Sequence, residues 1–95
     1  MDQEMLDKIE QMRVERGWDK TDTPAILAKS VVVEAAELLE CFQFSETKVN
    51  YEAVKSEVAD ILMYAISLCV DQGWDYKQLI IDKIQDVESR YPSVK

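Results

Sequence analysis

VVVEAAELLECFQF, residues 31–44, sets Glu34, Glu37 and Glu40 among valine, alanine and leucine, with no lysine or arginine in the stretch. Glu34 and Glu37 are three apart, a spacing that puts two side chains on one face of a helix with Cβ atoms ~5–6 Å apart. Neither this stretch nor any other shows the apolar–polar alternation that demands a strand. Start and stop signals divide the chain accordingly. Thr23-Pro24 pairs a capping hydroxyl with proline at a first helical position. Asn50 can cap a helix beginning at Tyr51, and Pro92 closes the last one. The only two glycines stand in RGWDK (16–20) and QGWDY (72–76), where glycine past a helix end supplies a left-handed residue. Asp75 can cap the helix that follows, with Gln78 at capping-box spacing. The expected elements are helices over 3–16, 24–43, 51–72 and 76–90, an all-α four-helix bundle.

With 95 residues the chain fits one domain, 1–95. Hydrophobic residues make up 47%, too many for a disordered chain. So small a domain buries a modest fraction of its surface, and apolar residues lie on all sides of the two central helices, so a core completed by a second copy is expected. The formal charge of −8 argues against nucleic acid, which needs a basic face. The longest uncharged stretch, Ile61 to Val70, is well short of the ~20 residues of a membrane span. MDQEMLDKIE at the N-terminus has no apolar signal region, and the reading is cytoplasmic. Cys41 and Cys69, without any histidine, make neither a disulfide framework nor a zinc site, and read as small core hydrophobes.

SEVAD (56–60) carries a second acidic pair, Glu57 and Asp60. At 100° per residue Glu57, Asp60, Tyr64, Ser67 and Asp71 fall within a stripe about 80° wide on an otherwise apolar helix. If the two central helices pack antiparallel, the pairs can face one another. Solvated acidic faces are common, but the charge pattern here is unusual. Residues 2–20 mix signs freely, Arg13 among them, as a solvent-facing helix does. Residues 30–47 and 56–76 contain no lysine or arginine. Four carboxylates gathered in a bundle repel one another unless a cation is bound or some are protonated. All-oxygen ligands point to a hard ion, Mg²⁺ or Mn²⁺ in its place. Such an ion usually handles phosphate.

EAAE at 34–37 followed by EVAD at 57–60 resembles the signature of the MazG-like nucleoside triphosphate pyrophosphohydrolases of the all-α NTP pyrophosphatase group. A further glutamate often precedes the first pair in that family; here the position is Val33. RGWDKTDTP, EAAELLECFQF, EVADILMY and DKIQDVESRYP extend the resemblance over nearly the whole chain, towards the dCTP-pyrophosphatase-like branch. The resemblance implies Mg²⁺-dependent cleavage between the α- and β-phosphates of a nucleotide, and a four-helix core built by homodimers, often paired into homotetramers. It makes Glu34, Glu37, Glu57 and Asp60 the metal ligands. Glu34 is our choice to orient the attacking water, with Glu37 beside it as a catalytic carboxylate. Lys83 matches a lysine that reaches phosphate, Tyr64 a position near the sugar, and Trp18 a tryptophan that stacks on the base.

The base pocket is where the chain departs from the pattern. Phe44 stands for a tryptophan, Asp22 for a histidine, Val87 for an asparagine and Glu88 for an arginine. Losing groups that hydrogen-bond a substrate relaxes discrimination. The expected function is therefore hydrolysis of (deoxy)nucleoside triphosphates to monophosphate and pyrophosphate, removing unwanted nucleotides, with the base left open. The alternative is a helical dimer that binds a nucleotide or protein partner without turning it over.

Overall fold

A computed structural model describes residues 2–94; the two end positions of the expected 1–95 domain lie outside the described residues. The described chain is all helical: α1 (Asp2–Glu15), α2 (Trp18–Thr21), α3 (Pro24–Glu40), α4 (Tyr51–Gln72) and α5 (Tyr76–Arg90). The caps form where the sequence places them. Thr23 Oγ1 accepts from the Ile26 amide at 3.2 Å, Asn50 Oδ1 from Glu52 and Ala53, and Asp75 Oδ1 from Lys77 and Gln78. Gln78 does not complete a capping box, since its amide donates forward to Asp82 Oδ1 at 2.8 Å. Gly73 (φ 73°) ends α4 in a Schellman turn, with its amide on Val70 O and the Trp74 amide on Cys69 O.

Two differences from the sequence reading concern helix ends. A single-turn helix, α2, follows Gly17 (φ 74°), making five helices rather than four. The second long helix stops at Glu40 instead of 43. Beyond it the amides of Cys41, Phe42 and Gln43 bond three residues back, to Leu38, Leu39 and Glu40, so the helix tightens and unwinds before the connection to α4.

α3 and α4 form the main packed pair. Glu34 and Glu37 lie beside Glu57, while Leu27, further back on α3, lies with Met63 and Ser67 further along α4; the two helices are antiparallel. α1 crosses α4 near its C-terminal end, where Arg13 meets Asp71. Arg13 is 2% exposed, which corrects the reading of the first helix as wholly solvent-facing. α5 leans on the rest chiefly through the start of its first turn, where Lys77 pairs with Asp2. Cys41 and Cys69 are free and half-buried. Leu27 is the only fully buried apolar side chain among the described residues, and Ile9, 9% exposed, is the next most covered. The radius of gyration is 16.0 Å, against about 12 Å for a compact chain of this length.

Candidate active site

Thr23 and Pro24 start α3 in a fixed register, and Asn50 does the same for α4; that registration brings the two acidic pairs to one place. Carboxylate oxygens of Glu34, Glu37 and Glu57 lie within 4.8 Å of one another. With every carboxyl ionised, Glu34 Oε2 and Glu57 Oε2 are buried and no donor reaches either. Two orphaned anionic oxygens beside a third carboxylate are costly in the protein alone and fit a bound cation. The donor set is all oxygen, suited to a hard divalent ion. Asp60 stands outside this group of three, one turn along α4, but its charge is felt there.

The Glu34 carboxyl is pushed up to about 7. Hydrogen bonding with Glu37 is the main cause, followed by that with Glu57, then burial and the charges of Glu37 and Asp60. Two carboxyls can share a hydrogen bond only if one keeps a proton, which is how the cluster lowers its own repulsion when no cation is present. The Tyr64 phenol is pushed up as well, by burial first and then by the charges of Glu34, Asp60, Asp22 and Glu37, so it stays a neutral donor.

Asp60 and Tyr64 also line an adjoining open cavity of about 200 Å³ bordered by α1, α2, α3 and α4. Its walls are apolar, made by Met12, Leu27 and Met63 with the rings of Trp18 and Tyr64. Arg13, Asp22, Asp60 and Ser67 supply its polar groups. The Arg13 guanidinium grips Asp71 in a fork, Nη1 to Oδ1 at 2.9 Å and Nη2 to Oδ2 at 2.8 Å, and the hydrogen bond to Asp71 raises its pKa further. Arg13 Nε is buried without a partner. Ser67, also buried, donates to Met63 O at 2.7 Å.

Of the eight residues expected in the site, six gather here: Glu34, Glu37, Glu57, Asp60, Tyr64 and Trp18. The other two do not. Phe44 sits in the turn after α3 and is 92% exposed. Lys83 lies on the surface of α5, 3.6 Å from Asp86, beside Ile80, Ile84 and Val87. Sequence reasoning missed Arg13 and Ser67 as parts of the cavity, and Asp71 as the partner that holds Arg13. Ser67 and Asp71 already lay in the polar stripe of α4. Arg13 gave no signal, because one buried arginine among mixed charges looks like its neighbours.

The chain is similar over 82% of its length to mouse dCTP pyrophosphatase 1, at 31% identity, and over the same share to the bovine protein of that name, at 29%. It spans about half the length of these curated relatives, 51% of the mouse and 52% of the bovine chain. The fold superposes with a TM-score of 0.88 on a pyrophosphatase from Archaeoglobus fulgidus, 33% identical, covering 96% of this chain and 92% of that one. Residues 29–95 match the MazG-like family, a span that takes in both acidic pairs. With the five-helix fold and the carboxylate cluster in agreement, the chain belongs to the MazG-like family.

Proposed function

We propose that the protein is a nucleoside triphosphate pyrophosphohydrolase that uses Mg²⁺, with Mn²⁺ able to substitute, and hydrolyses (deoxy)nucleoside triphosphates to monophosphate and pyrophosphate. The observation that carries the reading is the pair of buried, partnerless oxygens on Glu34 and Glu57 beside Glu37. Glu34, Glu37, Glu57 and Asp60 would hold the metal. When bound, the ion supplies charge neutralisation for the phosphates and acidifies water.

This chain's own residues divide the remaining work. Glu34 orients the attacking water and takes its proton, a role open to a carboxylate held within reach of that water. Water's oxygen bonds to the α-phosphorus, the bond from that phosphorus to the bridging oxygen breaks, and pyrophosphate leaves. Tyr64, kept neutral by its acidic neighbours, donates a hydrogen bond near the sugar. Trp18 offers a ring for the base at the mouth of the cavity, and Asp60 borders both the cavity and the cluster. Lys83 and Phe44 lie away from the site in a single chain. Their roles at phosphate and base require a homodimer or homotetramer in which a second copy brings them in.

The test is pyrophosphate release from a panel of deoxynucleoside triphosphates with and without Mg²⁺. Glu37→Gln combined with Asp60→Asn should reduce kcat/KM by about a hundredfold or more, since it removes charge on the ligands that act on the transition state. Undiminished turnover in that variant would refute the ligand assignment. Nucleotide-dependent thermal stabilisation without any product would favour the non-catalytic binding module instead.

A further inference from the structure

A surface groove leaves the carboxylate cluster along a different face of α3 from the cavity beside Trp18. Glu34 and Tyr64 border it, and Ile26, Lys29, Ser30 and Val33 complete its lining, around a space of about 270 Å³. Ile26, Ser30 and Val33 follow the helical spacing of one stripe. At 100° per residue Glu34 stands on one flank of that stripe and Lys29 on the other, about 140° apart. Lys29 is also about 7.5 Å nearer the start of the helix than Glu34, at 1.5 Å per residue. The groove thus carries a carboxylate of the cluster at one end and an ammonium at the other.

That ammonium is uncommitted. Lys8, Arg13, Lys55, Lys77, Lys83 and Arg90 each pair with a carboxylate. Lys29 is exposed and makes no hydrogen bond or ion pair with any described residue. It does not take Glu34 as a partner, because Glu34 turns to Glu37 and Glu57. Ser30 makes no claim on it either, since its hydroxyl donates to Ile26 O at 2.9 Å.

An anion fits between the two ends. Glu34, Glu37, Glu57 and Asp60 together carry more negative charge than one divalent ion offsets, so phosphates beyond the ion's reach are repelled unless a further cation meets them. A compact ammonium on a flexible stem suits that task. Tyr64 borders both this groove and the cavity with Trp18. A nucleotide with its base beside Trp18 therefore passes Tyr64 and Glu34 before its phosphate chain enters the groove, and the last phosphate is the one that meets Lys29.

We propose that Lys29 holds the terminal phosphate of the substrate and so sets a preference for triphosphates over diphosphates. This role rests on the nucleotide reading above and adds a residue that senses the length of the phosphate chain from within one protomer, with no second copy needed.

Matched pairs isolate the terminal phosphate: dCTP against dCDP, and dATP against dADP. Hydrolysis at the same bond gives the monophosphate with pyrophosphate in one case and with phosphate in the other. The expected kcat/KM preference for the triphosphate is about tenfold or more, as for a charge-assisted contact made by one substrate only. Lys29→Ala should reduce the triphosphate value about tenfold, mainly through KM, and the diphosphate value no more than about twofold. Lys29→Arg keeps the charge and should retain most of the preference. The melting temperature should stay the same in both variants, because the side chain touches nothing that the fold needs. Equal turnover of both members of each pair, or a Lys29→Ala variant that loses both equally or neither, would overturn the role while leaving the hydrolase reading intact. If no nucleotide is hydrolysed, calorimetry with the α,β-methylene analogues of the same triphosphates and diphosphates, in Mg²⁺, decides the matter. Tighter binding of the triphosphate analogue that Lys29→Ala abolishes then supports the role, and equal binding or none ends it.

Discussion

Glu34 sets the behaviour of the metal-free protein with pH. Its carboxyl is pushed up to about 7, while an unfolded glutamate titrates near ~4.3. Between those values the folded state holds more proton than the unfolded one, so this group's contribution to stability is full below the lower value and is lost as pH rises through the upper one. The melting temperature of the apo protein should therefore carry a component that falls from pH 5 to pH 7.5. Glu34→Gln should flatten it, and millimolar Mg²⁺ should reverse it by favouring the ionised cluster. Scanning calorimetry across that range checks all three, and a Glu34→Gln profile parallel to wild type would remove Glu34 as the cause. Arg13 and Asp71 give a second prediction at this scale. Removing one partner strands the other, at about 3–5 kcal/mol for a fully buried pair. The Asp71 side chain is 24% exposed and Glu10 Oε2 still lies 3.5 Å from Arg13 Nη1, so Asp71→Ala should cost less than full stranding, about 2–3 kcal/mol by urea denaturation. Glu34, Glu37, Glu57, Asp60, Tyr64 and Trp18 could be found in the sequence because their spacing follows the helical repeat or a recognisable phrase. Arg13 could not, because its burial depends on α1 crossing α4 near Asp71, a tertiary fact with no local pattern.

Helix boundaries depend on a few residues whose backbone or side chain admits little choice, which is why most of them could be read ahead of the structure. Thr23-Pro24, Asn50 and Asp75 each satisfy amides that the helix cannot, and Gly17 and Gly73 take the left-handed conformation that ends one. The boundaries that were missed lack such residues. CFQF after Glu40 contains no glycine or proline to mark the stop, and α2 is a single turn whose first residue follows Gly17 without a side-chain cap. Gly73 offers a clean measurement of what the left-handed turn is worth. Nothing lies within 4 Å of a Cβ placed there, so Gly73→Ala costs backbone strain alone, about 1–2 kcal/mol. Thr23→Ala should cost about 1 kcal/mol through the lost cap. The caps also fix the register of α3 and α4, and with it the meeting of Glu34, Glu37 and Glu57. Thr23→Ala should therefore weaken Mg²⁺ binding slightly while Gly73→Ala, beyond the cluster, leaves it unchanged. Calorimetric titration with Mg²⁺ separates the two; equal affinities in both variants would detach the cap from the site.

At the scale of the molecule, the open feature is how little apolar surface the chain covers by itself. Leu27 at 1% exposed is a well-buried anchor, and Leu27→Ala should cost about 2–5 kcal/mol. Against it stand Val32, Leu39 and Leu62 on the central pair, and Ile80, Ile81 and Ile84 on α5, all around half exposed or more. The proposed homo-oligomer would cover such an apolar share, and the 16.0 Å radius of gyration describes a spread-out chain rather than a closed one. The same face carries Lys83, which lines a surface groove with Ile80, Ile84 and Val87, and the role at phosphate proposed for it requires a neighbouring copy. Association and activity should then be linked. Ile80→Asp with Ile84→Asp, two changes away from every carboxylate of the cluster, should shift sedimentation towards a monomer and lower kcat/KM together, with a partial return of both at high protein concentration. Lys83→Ala should lower kcat/KM without altering sedimentation. Full activity in a protein that sediments as a monomer would show that one chain completes the site alone, and would return Lys83 to the ordinary solvated surface of α5.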